Sequence, residues 1–266
     1  MKQDHPPEFV EALAKGLSVL ESFDAENAQM TLSEVARRIG SSPATARRSL
    51  LTLQALGYVG QTNKRFHLRP KVMALGSAFH NAARIDDVLN PELRQFVEQH
   101  GDASSVAALD GGDVIYVAHH SEQRARRPAA SVGARYPAYA TSLGRVLLSS
   151  LSDTDLDAYF DALEPKALTG KTVTDKAELM RIIQQVRDDD YAASVDQLDY
   201  GITALAVPIR GLGGQVIAAL NTSGYSGMVT ADDLVRDRLR DLRVAAAHIS
   251  HTLRRFPVLE NMIRIT

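Results

Sequence analysis

Residues 41–53 read SSPATARRSLLTL, a stretch with the features of a short helix that carries two adjacent arginines. Ser42 has a side-chain oxygen suited to capping a helix start, and Pro43 suits the first helical position, where no N–H is needed. Four positions share one face at helical spacing and are expected to pack inward: Ala46, Leu50, Leu53 and Gly57. The stretch therefore predicts a helix with a packed face and an outward face.

The outward face is small, hydroxylated and basic. Small side chains permit close approach to a DNA groove, and arginine can bind guanine or phosphate. An open alternative is a solvated helix face, which is the common setting for paired arginines. The candidate DNA-binding residues of this helix are Ser42, Thr45, Arg47, Arg48 and Thr52.

Two helical patterns precede this stretch. In residues 9–23 the side chains of Val10, Leu13, Leu17 and Leu20 align on one helix face. In TLSEVARRIG, residues 31–40, Thr31 and Glu34 have the spacing of a capping box, and Gly40 can take the positive φ that ends a helix. The order predicts a helix followed by a helix-turn-helix.

Residues 57–70, GYVGQTNKRFHLRP, predict a two-stranded hairpin with a cationic tip from Thr62 to Arg65. Such a wing can lie along the DNA backbone, so Lys64 and Arg65 are further candidate DNA-binding residues. Three helices, the turn, the basic face and the wing in this order predict a winged helix-turn-helix domain that binds double-stranded DNA.

Charge is distributed unevenly along the 266 residues, although the net charge is only −2. Residues 31–71 contain eight basic side chains and one acidic one, which leaves 22 basic and 31 acidic residues elsewhere. There is no cysteine, which excludes disulfides and thiolate chemistry. The start lacks a signal-peptide pattern and no apolar run is long enough to span a membrane, so we expect a cytoplasmic protein without membrane contact.

Beyond residue 70 the pattern changes twice. Residues 71–87 are helical in pattern, with Val72, Leu75 and Phe79 aligned, and predict a linker helix. From residue 91 onward, strand-like segments alternate with turns and helices: SSVAAL, VIYVAHH, TALAVPI and VIAALNTS are the strands, helices start near residues 141, 152 and 175, and residues 230–253 form one long amphipathic helix. This predicts an α+β domain with an antiparallel sheet flanked by helices.

Nothing in this domain demands catalysis, because the nucleophile-elbow, phosphate-loop and zinc-protease motifs are absent from the sequence. His119 and His120 are adjacent on a strand and would point to opposite faces, which is poor geometry for one metal ion. The runs RARR (124–127) and DDD (188–190) are expected to be solvated charges. We expect no metal and no cofactor.

A ligand pocket is better supported, at the segment VGARYPAYATSLGRVLL, residues 132–148. Thr141 and Ser142 stand at a helix start, whose N–H groups attract anions, and Gly144 permits close approach of a backbone. Arg135 could fork onto a carboxylate. The alternative, a plain helix cap with a surface arginine, is equally consistent with these residues alone.

The segments FVEALAKGLSVLESF, TLSEVARRIG, ATARRSLLTLQALGYV and FHLRPKVMALG resemble the winged-helix domain of the IclR family of bacterial transcriptional regulators. The likeness continues through PAYATSLGRVLLSSLSD and LAVPIRGLGGQVIAALNTS, and it is strongest to the branch that controls protocatechuate and 4-hydroxybenzoate catabolism. The resemblance implies a GAF-like effector domain, a dimerising linker helix and a small aromatic effector. It places effector contacts at Ser142, Leu143, Ala204, Asn221 and Ser223, and with it Tyr139 would wall an apolar slot.

The segment before the strand-like TALAVPI departs from the pattern of that branch, in which a glutamine is usually followed by an acidic residue. Here Asp196 and Gln197 are followed by Leu198, so the roles of Asp196 and Gln197 stay open, and a neutral derivative is as acceptable an effector as the acid. A homodimer or homotetramer is expected, because two winged helices read half-sites roughly 34 Å apart and so multiply specificity.

The expected organisation is a tail (1–8), a winged helix-turn-helix domain (9–70), a linker helix (71–90), an effector domain (91–260) and a second tail (261–266). Two other functions stay open at this point: an enzyme of aromatic metabolism with an accessory DNA-binding domain, and a winged helix used for protein contacts.

Overall fold

A computed structural model describes residues 6–122 and 131–263 and divides into two units between Phe79 and His80. The boundary falls inside the predicted linker. The basic run 124–127 and the outer parts of both predicted tails lie outside the described residues.

The N-terminal unit consists of three helices and a three-stranded antiparallel sheet. Its elements are α1 (Glu11–Glu21), β1 (Met30–Thr31), α2 (Leu32–Arg38), α3 (Pro43–Ala55), β2 (Val59–Thr62) and β3 (Arg65–Leu68), with sheet order β1-β3-β2. The predicted capping box is present, since Thr31 Oγ1 accepts from the Glu34 N–H and the Glu34 carboxylate accepts from the Thr31 N–H. Gly40 has φ +60°, as the turn requires. The winged helix-turn-helix prediction is confirmed. Strand β1 was not predicted, because a strand of two residues leaves no recognisable pattern in the sequence.

The core of this unit corrects one expectation. Leu50 and Leu53 of α3 are buried, as predicted, together with Val19, Val35 and Phe66 of the elements around them. Of the four aligned side chains at α1, only Leu20 packs against this core. Val10, just before the helix, and Leu13 and Leu17 within it are 59, 63 and 47 % exposed. Helical spacing places them on one face correctly, but this unit packs the neighbouring face of α1, which carries Val19.

The predicted linker helix is interrupted. A short 3-10 turn (Pro70–Val72) leads to α4 (Met73–Ala82), and α5 (Ile85–Val88) follows after Arg84, which has φ +47°. The Arg84 guanidinium pairs with Asp87 and lies 4.6 Å from the ring centroid of Phe256. The prediction of a single helix through residue 87 is therefore wrong: α4 ends at Ala82, and the left-handed conformation of Arg84 separates it from α5.

The C-terminal unit has one six-stranded antiparallel sheet with helices on both faces, which confirms the α+β prediction. Its helices are α5, α6 (Asn90–His100), α7 (Ser142–Ser149), α8 (Asp153–Ala162), α9 (Lys176–Asp189), α10 (Ala231–Leu253) and α11 (Pro257–Ile263). Its strands are β4 (Ala103–Asp110), β5 (Asp113–Ser121), β6 (Arg135–Pro137), β7 (Ala192–Val195), β8 (Ile202–Arg210) and β9 (Val216–Tyr225), in the order β6-β5-β4-β9-β8-β7.

The two faces of this sheet pack against different helices. One face, here called the site face, carries Ala107, Ala206 and Ala219 against α7, α8 and α9. The other face packs against α6 and α10, and Arg238 of α10 donates to Thr222 there. In the described part of the chain, no helix is both long enough and apolar enough to cross a membrane.

Candidate functional site

Helix α3 presents its two arginines to the exterior. Ser42 caps the helix by accepting from the Thr45 N–H at 3.2 Å, and Pro43 occupies the first helical position, both as predicted. Arg47 and Arg48 are exposed, and within residues 6–122 and 131–263 neither forms an ion pair or a side-chain hydrogen bond. Their charges are therefore available to an external anion.

The hydroxyl groups of α3 are partly engaged within the helix. Ser42 Oγ donates to Thr45 Oγ1 at 3.0 Å, and Thr52 Oγ1 donates to the Arg48 carbonyl oxygen at 2.9 Å. Each oxygen keeps capacity for another partner, because a hydroxyl both donates and accepts.

The wing separates its two predicted cations. Asn63 and Lys64 form the tip with φ of +49° and +65°, and the Lys64 side chain is exposed. The Arg65 side chain is 47 % exposed, and its Nη1 donates to the Gln29 carbonyl oxygen at 2.9 Å and lies 3.4 Å from the Glu34 carboxylate. These bonds engage part of the guanidinium group, and its role as a DNA contact stays a prediction.

In the C-terminal unit, α7 begins at a capped turn. Thr141 Oγ1 accepts from the Gly144 N–H at 2.9 Å. The N–H groups of Ser142 and Leu143 have no place in the hydrogen-bond pattern of a helix, so they stay available for an acceptor. Gly144 serves a different purpose from the one expected. A Cβ there would collide with the backbone of Ala138, so the glycine allows the 3-10 turn before α7 (Ala138–Ala140), not a ligand, to approach the helix.

The start of α7 lies at one particular end of the site face. The other end of α7, at Leu147 and Ser149, lines a cavity of about 420 Å³ together with Leu109, Pro208 and Val216. The start consequently lies toward the opposite ends of the same strands. Small residues occupy that end of the site face, in two neighbouring rows that run across β4, β9, β8 and β7. One row is Ala103, Ser223, Ala204 and Ser194, and the next is Ser105, Asn221, Ala206 and Ala192. The structure thus brings Ser142, Leu143, Ala204, Asn221 and Ser223 to one end of the unit.

Two side chains of this end are fixed by hydrogen bonds. The Ser105 N–H donates to Asn221 Oδ1 at 2.9 Å, and Ser105 Oγ lies 2.9 Å from His119 Nδ1. Burial, and secondarily the neighbouring His120, lower the pKa of His119. In the described residues, no group of three or more His, Asp or Glu side chains is placed to hold a metal ion.

Arg135 is engaged by ion pairs within the chain. Its guanidinium forks onto the chain's own carboxylates, Asp110 and Asp113, and also bonds the Asp110 carbonyl oxygen. The expected role in binding a ligand carboxylate is therefore corrected.

Tyr139 is also committed elsewhere. Its ring is in the hydrophobic core, and its hydroxyl both donates to the Lys166 carbonyl oxygen and accepts from the Lys166 N–H. It anchors the segment after α8, so the predicted wall of an apolar slot is not supported.

Arg145 is the side chain that the sequence reading missed. It is only 4 % exposed, donates Nε to the Tyr139 carbonyl oxygen at 3.0 Å and Nη2 to Gln197 Oε1 at 2.8 Å, and forms no ion pair in the described part of the chain. Burial lowers its pKa to about 10. The available signal was an arginine within the segment SLGRVLL, none of whose other residues is charged.

The open question about Asp196 and Gln197 is answered by their contacts. The Asp196 carboxylate accepts from Gly201 N–H, Ser226 Oγ and Lys171 Nζ, which together lower its pKa, with Ser226 contributing most. Gln197 accepts from Arg145 and from the Val173 N–H. The pair joins the β7–β8 loop to α7 and to residues 169–173, next to the candidate site.

The chain combines two features: an N-terminal unit with an exposed basic recognition helix, and a separate α+β unit with a polar site at one end of its sheet. Together these define a DNA-binding regulator with its own ligand domain. Family models agree: the IclR helix-turn-helix domain matches residues 12–63 and the C-terminal domain of bacterial transcriptional regulator IclR matches residues 78–251. The chain belongs to the IclR family of bacterial transcriptional regulators, and within it to the branch of the Pca and p-hydroxybenzoate regulators.

Relatives of this branch match almost end to end. The Pca regulon regulatory protein of Pseudomonas putida is 36% identical over 93% of this chain and 85% of its own length. The p-hydroxybenzoate hydroxylase transcriptional activator of Acinetobacter baylyi is 32% identical over 90% of both chains. A solved inducer-binding domain of PobR from Acinetobacter, a double mutant in complex with 3-hydroxybenzoic acid, is 31% identical with a TM-score of 0.56, and covers 60% of this chain and 94% of that one.

Proposed function

We propose that this protein regulates the transcription of genes for aromatic-compound catabolism, by binding operator DNA in response to a small aromatic effector in the cytoplasm. The proposal is supported by the relatives that control the Pca regulon and p-hydroxybenzoate hydroxylase. The observation that carries the DNA-binding part is the pair of exposed, unpaired guanidinium groups of Arg47 and Arg48 on α3.

The DNA interface is α3 with the wing tip. Arginines at the second turn of α3 supply bidentate contacts to guanine or phosphate, and the exposed Lys64 contacts phosphate. The proposed contact residues are Ser42, Thr45, Arg47, Arg48, Thr52, Lys64 and Arg65.

The active form is a homodimer or a homotetramer. Val10, Leu13 and Leu17 form an exposed apolar stripe on α1, and exposed stripes of this kind are typical of subunit contacts. Two copies also place two recognition helices on a pair of half-sites.

The effector is a small aromatic acid, such as 4-hydroxybenzoate or protocatechuate, or a neutral derivative. Its polar group accepts from the N–H groups at the start of α7, and its flat ring lies over the small residues at the end of the site face. The proposed contacts are Thr141, Ser142, Leu143, Ala204, Asn221 and Ser223. An effector that binds one arrangement of the subunits more tightly shifts the DNA-binding equilibrium by that difference in affinity.

A mobility-shift titration tests the proposal. The DNA is the region upstream of the protein's own gene, and the additions are 4-hydroxybenzoate, protocatechuate and 4-hydroxybenzamide, with acetate as the non-aromatic control. We expect the upstream DNA to be bound more tightly than scrambled DNA, and at least one aromatic compound to change that affinity. Equal affinity for both DNAs would reject the regulator, and unchanged binding across the aromatic series would reject the effector class.

A further inference from the structure

In the described part of the chain, a buried imidazole nitrogen without a hydrogen-bond partner lies at the end of the site face that the start of α7 approaches. His119 Nε2 is buried, and no group among residues 6–122 and 131–263 hydrogen-bonds to it. Buried polar atoms nearly always have a partner, and an unmade hydrogen bond in such a place costs stability. The atom therefore marks a place where a polar group of a ligand would be stabilised.

The imidazole ring is held in a fixed orientation. Its other nitrogen, Nδ1, lies 2.9 Å from Ser105 Oγ on the paired strand β4. Ser105 is itself 3 % exposed, and its N–H donates to Asn221 Oδ1 on β9 at 2.9 Å. Because paired residues of antiparallel strands point to the same face, His119, Ser105 and Asn221 form one polar row on the site face.

This row extends away from the start of α7. Helix α7 lies mainly across β8 and β9, whereas His119 is on β5, beyond β4. Neighbouring strands are about 4.8 Å apart, so β5 and β9 are roughly 10 Å apart. An aromatic ring anchored by one polar group at the α7 start, with its long axis across the strands, would present its far substituent to His119.

We propose that His119, oriented by Ser105, recognises a hydroxyl group on the ring of the aromatic effector and so sets which benzoates the protein senses. This inference rests on the proposed function, since it assigns the second polar contact of the same ligand. A hydroxyl group both donates and accepts, so it pairs with Nε2 in either tautomer of the ring.

The protonation state of His119 agrees with a hydroxyl partner. Burial lowers the pKa of His119, and the imidazole is therefore neutral near neutral pH. A neutral ring gives a phenolic hydroxyl a well-matched hydrogen bond, whereas a carboxylate would be better served by a cation.

Isothermal titration calorimetry on the full-length protein tests this, with benzoate, 3-hydroxybenzoate and 4-hydroxybenzoate as probes. We expect wild type to bind one of the hydroxybenzoates about tenfold to a hundredfold more tightly than benzoate, because benzoate leaves the buried nitrogen without a partner. In His119→Phe that preference should fall to within about threefold, since no nitrogen is left to be satisfied. His119→Gln, which keeps an amide group in the region of Nε2, should retain part of it.

His120→Phe is the matched control, because His120 is adjacent but pairs with Ser104 and so points to the other face of the sheet. It should keep the wild-type preference. Ser105→Ala provides a second test if His119→Phe does not fold, and it should weaken the preference by freeing the imidazole ring. A preference of wild-type size in His119→Phe, or in Ser105→Ala where His119→Phe does not fold, overturns the inference alone. Absence of binding of all three acids to wild type overturns the proposed effector class and the inference with it.

Discussion

Helices α3 and α7 begin in the same way and use their arginines in opposite ways. Each starts with a hydroxyl cap, Ser42 in one and Thr141 in the other. The arginines of α3 are exposed and unpaired in the described part of the chain, whereas Arg145 of α7 is buried with neutral oxygen acceptors. An exposed guanidinium group without a partner has its binding capacity left for another molecule, while a buried one with partners holds the chain together.

The cost of burial explains this division. Desolvation disfavours the charged form, and it lowers the pKa of Arg145 to about 10, which still leaves the group charged at neutral pH. Such a group is retained only where its hydrogen bonds join elements that must stay together, and here these are the 3-10 turn before α7 and the β7–β8 loop. The comparison therefore predicts binding defects from changes in α3 and stability defects from changes in α7.

The largest effect is expected for the double replacement of Arg47 and Arg48 by alanine. Each arginine that contacts a base contributes about 1–3 kcal/mol of operator affinity, so the double variant should lose roughly 2–6 kcal/mol. Fluorescence anisotropy on operator and scrambled DNA at several salt concentrations measures it. If the arginines contact only phosphate, both DNAs lose affinity equally and the salt dependence becomes shallower.

Arg94→Ala is the control for this loss, because it removes an exposed arginine from the C-terminal unit and should leave operator affinity near the wild-type value. Wild-type affinity in the α3 double variant would contradict the assignment of this helix as the reader of DNA.

A smaller effect, on stability and not on a DNA contact, is expected for Arg145→Ala. The change leaves the buried Tyr139 carbonyl oxygen without the Arg145 donor and removes one of the two donors to Gln197 Oε1, so we expect a loss of about 2–4 kcal/mol in the free energy of unfolding. Urea denaturation measures this, and hydrogen exchange should show faster exchange around α7. Arg181→Ala is the control, because it removes an exposed arginine that pairs with Glu178 and should change the stability little. Equal stability of the two variants would remove the contrast between the helices.

How far the sequence could predict the structure depends on the range of the contacts involved. The capping box of Thr31 and Glu34 and the positive φ of Gly40 are set by residues a few positions away, so the helix-turn-helix could be derived locally. The partner of Arg145 is Gln197, 52 positions further along the chain, and no local pattern indicates it. The same reason explains two errors. Arg135 was expected to bind a ligand carboxylate but pairs with Asp110, and the linker was expected to be one helix but is interrupted at Arg84.

The caps themselves provide a more modest test of the comparison. Thr141→Ala leaves the Gly144 N–H without its acceptor in a buried helix start, and should cost about 1–2 kcal/mol of stability. Ser42→Ala removes the same kind of bond from an exposed helix start, where water can replace it, and should cost about 0.5–1 kcal/mol. Urea denaturation of both variants measures the difference. Thr141→Ser should restore most of the loss, and a larger cost at Ser42 than at Thr141 would contradict the role of burial.

The smallest effect is expected in the pH dependence of stability near the candidate site. Hydrogen bonds from Ser226, Lys171 and Gly201 hold the pKa of Asp196 below its ordinary value near 3.8. Since the folded pKa is the lower one, the carboxylate stabilises the fold above the ordinary pKa, and this contribution is lost as the pH falls through the lowered value. Asp196→Asn should therefore lower Tm at neutral pH and reduce the fall in Tm between neutral and acid pH.

Asparagine tolerates the φ of +53° found here, so the change tests the charge and not the backbone. Asp199→Asn is the control, because it removes one negative charge from the same loop without those three hydrogen bonds, and it should keep the wild-type acid profile. An acid profile of Asp196→Asn that matched wild type would show that the carboxylate does not hold the loop to Ser226 and Lys171.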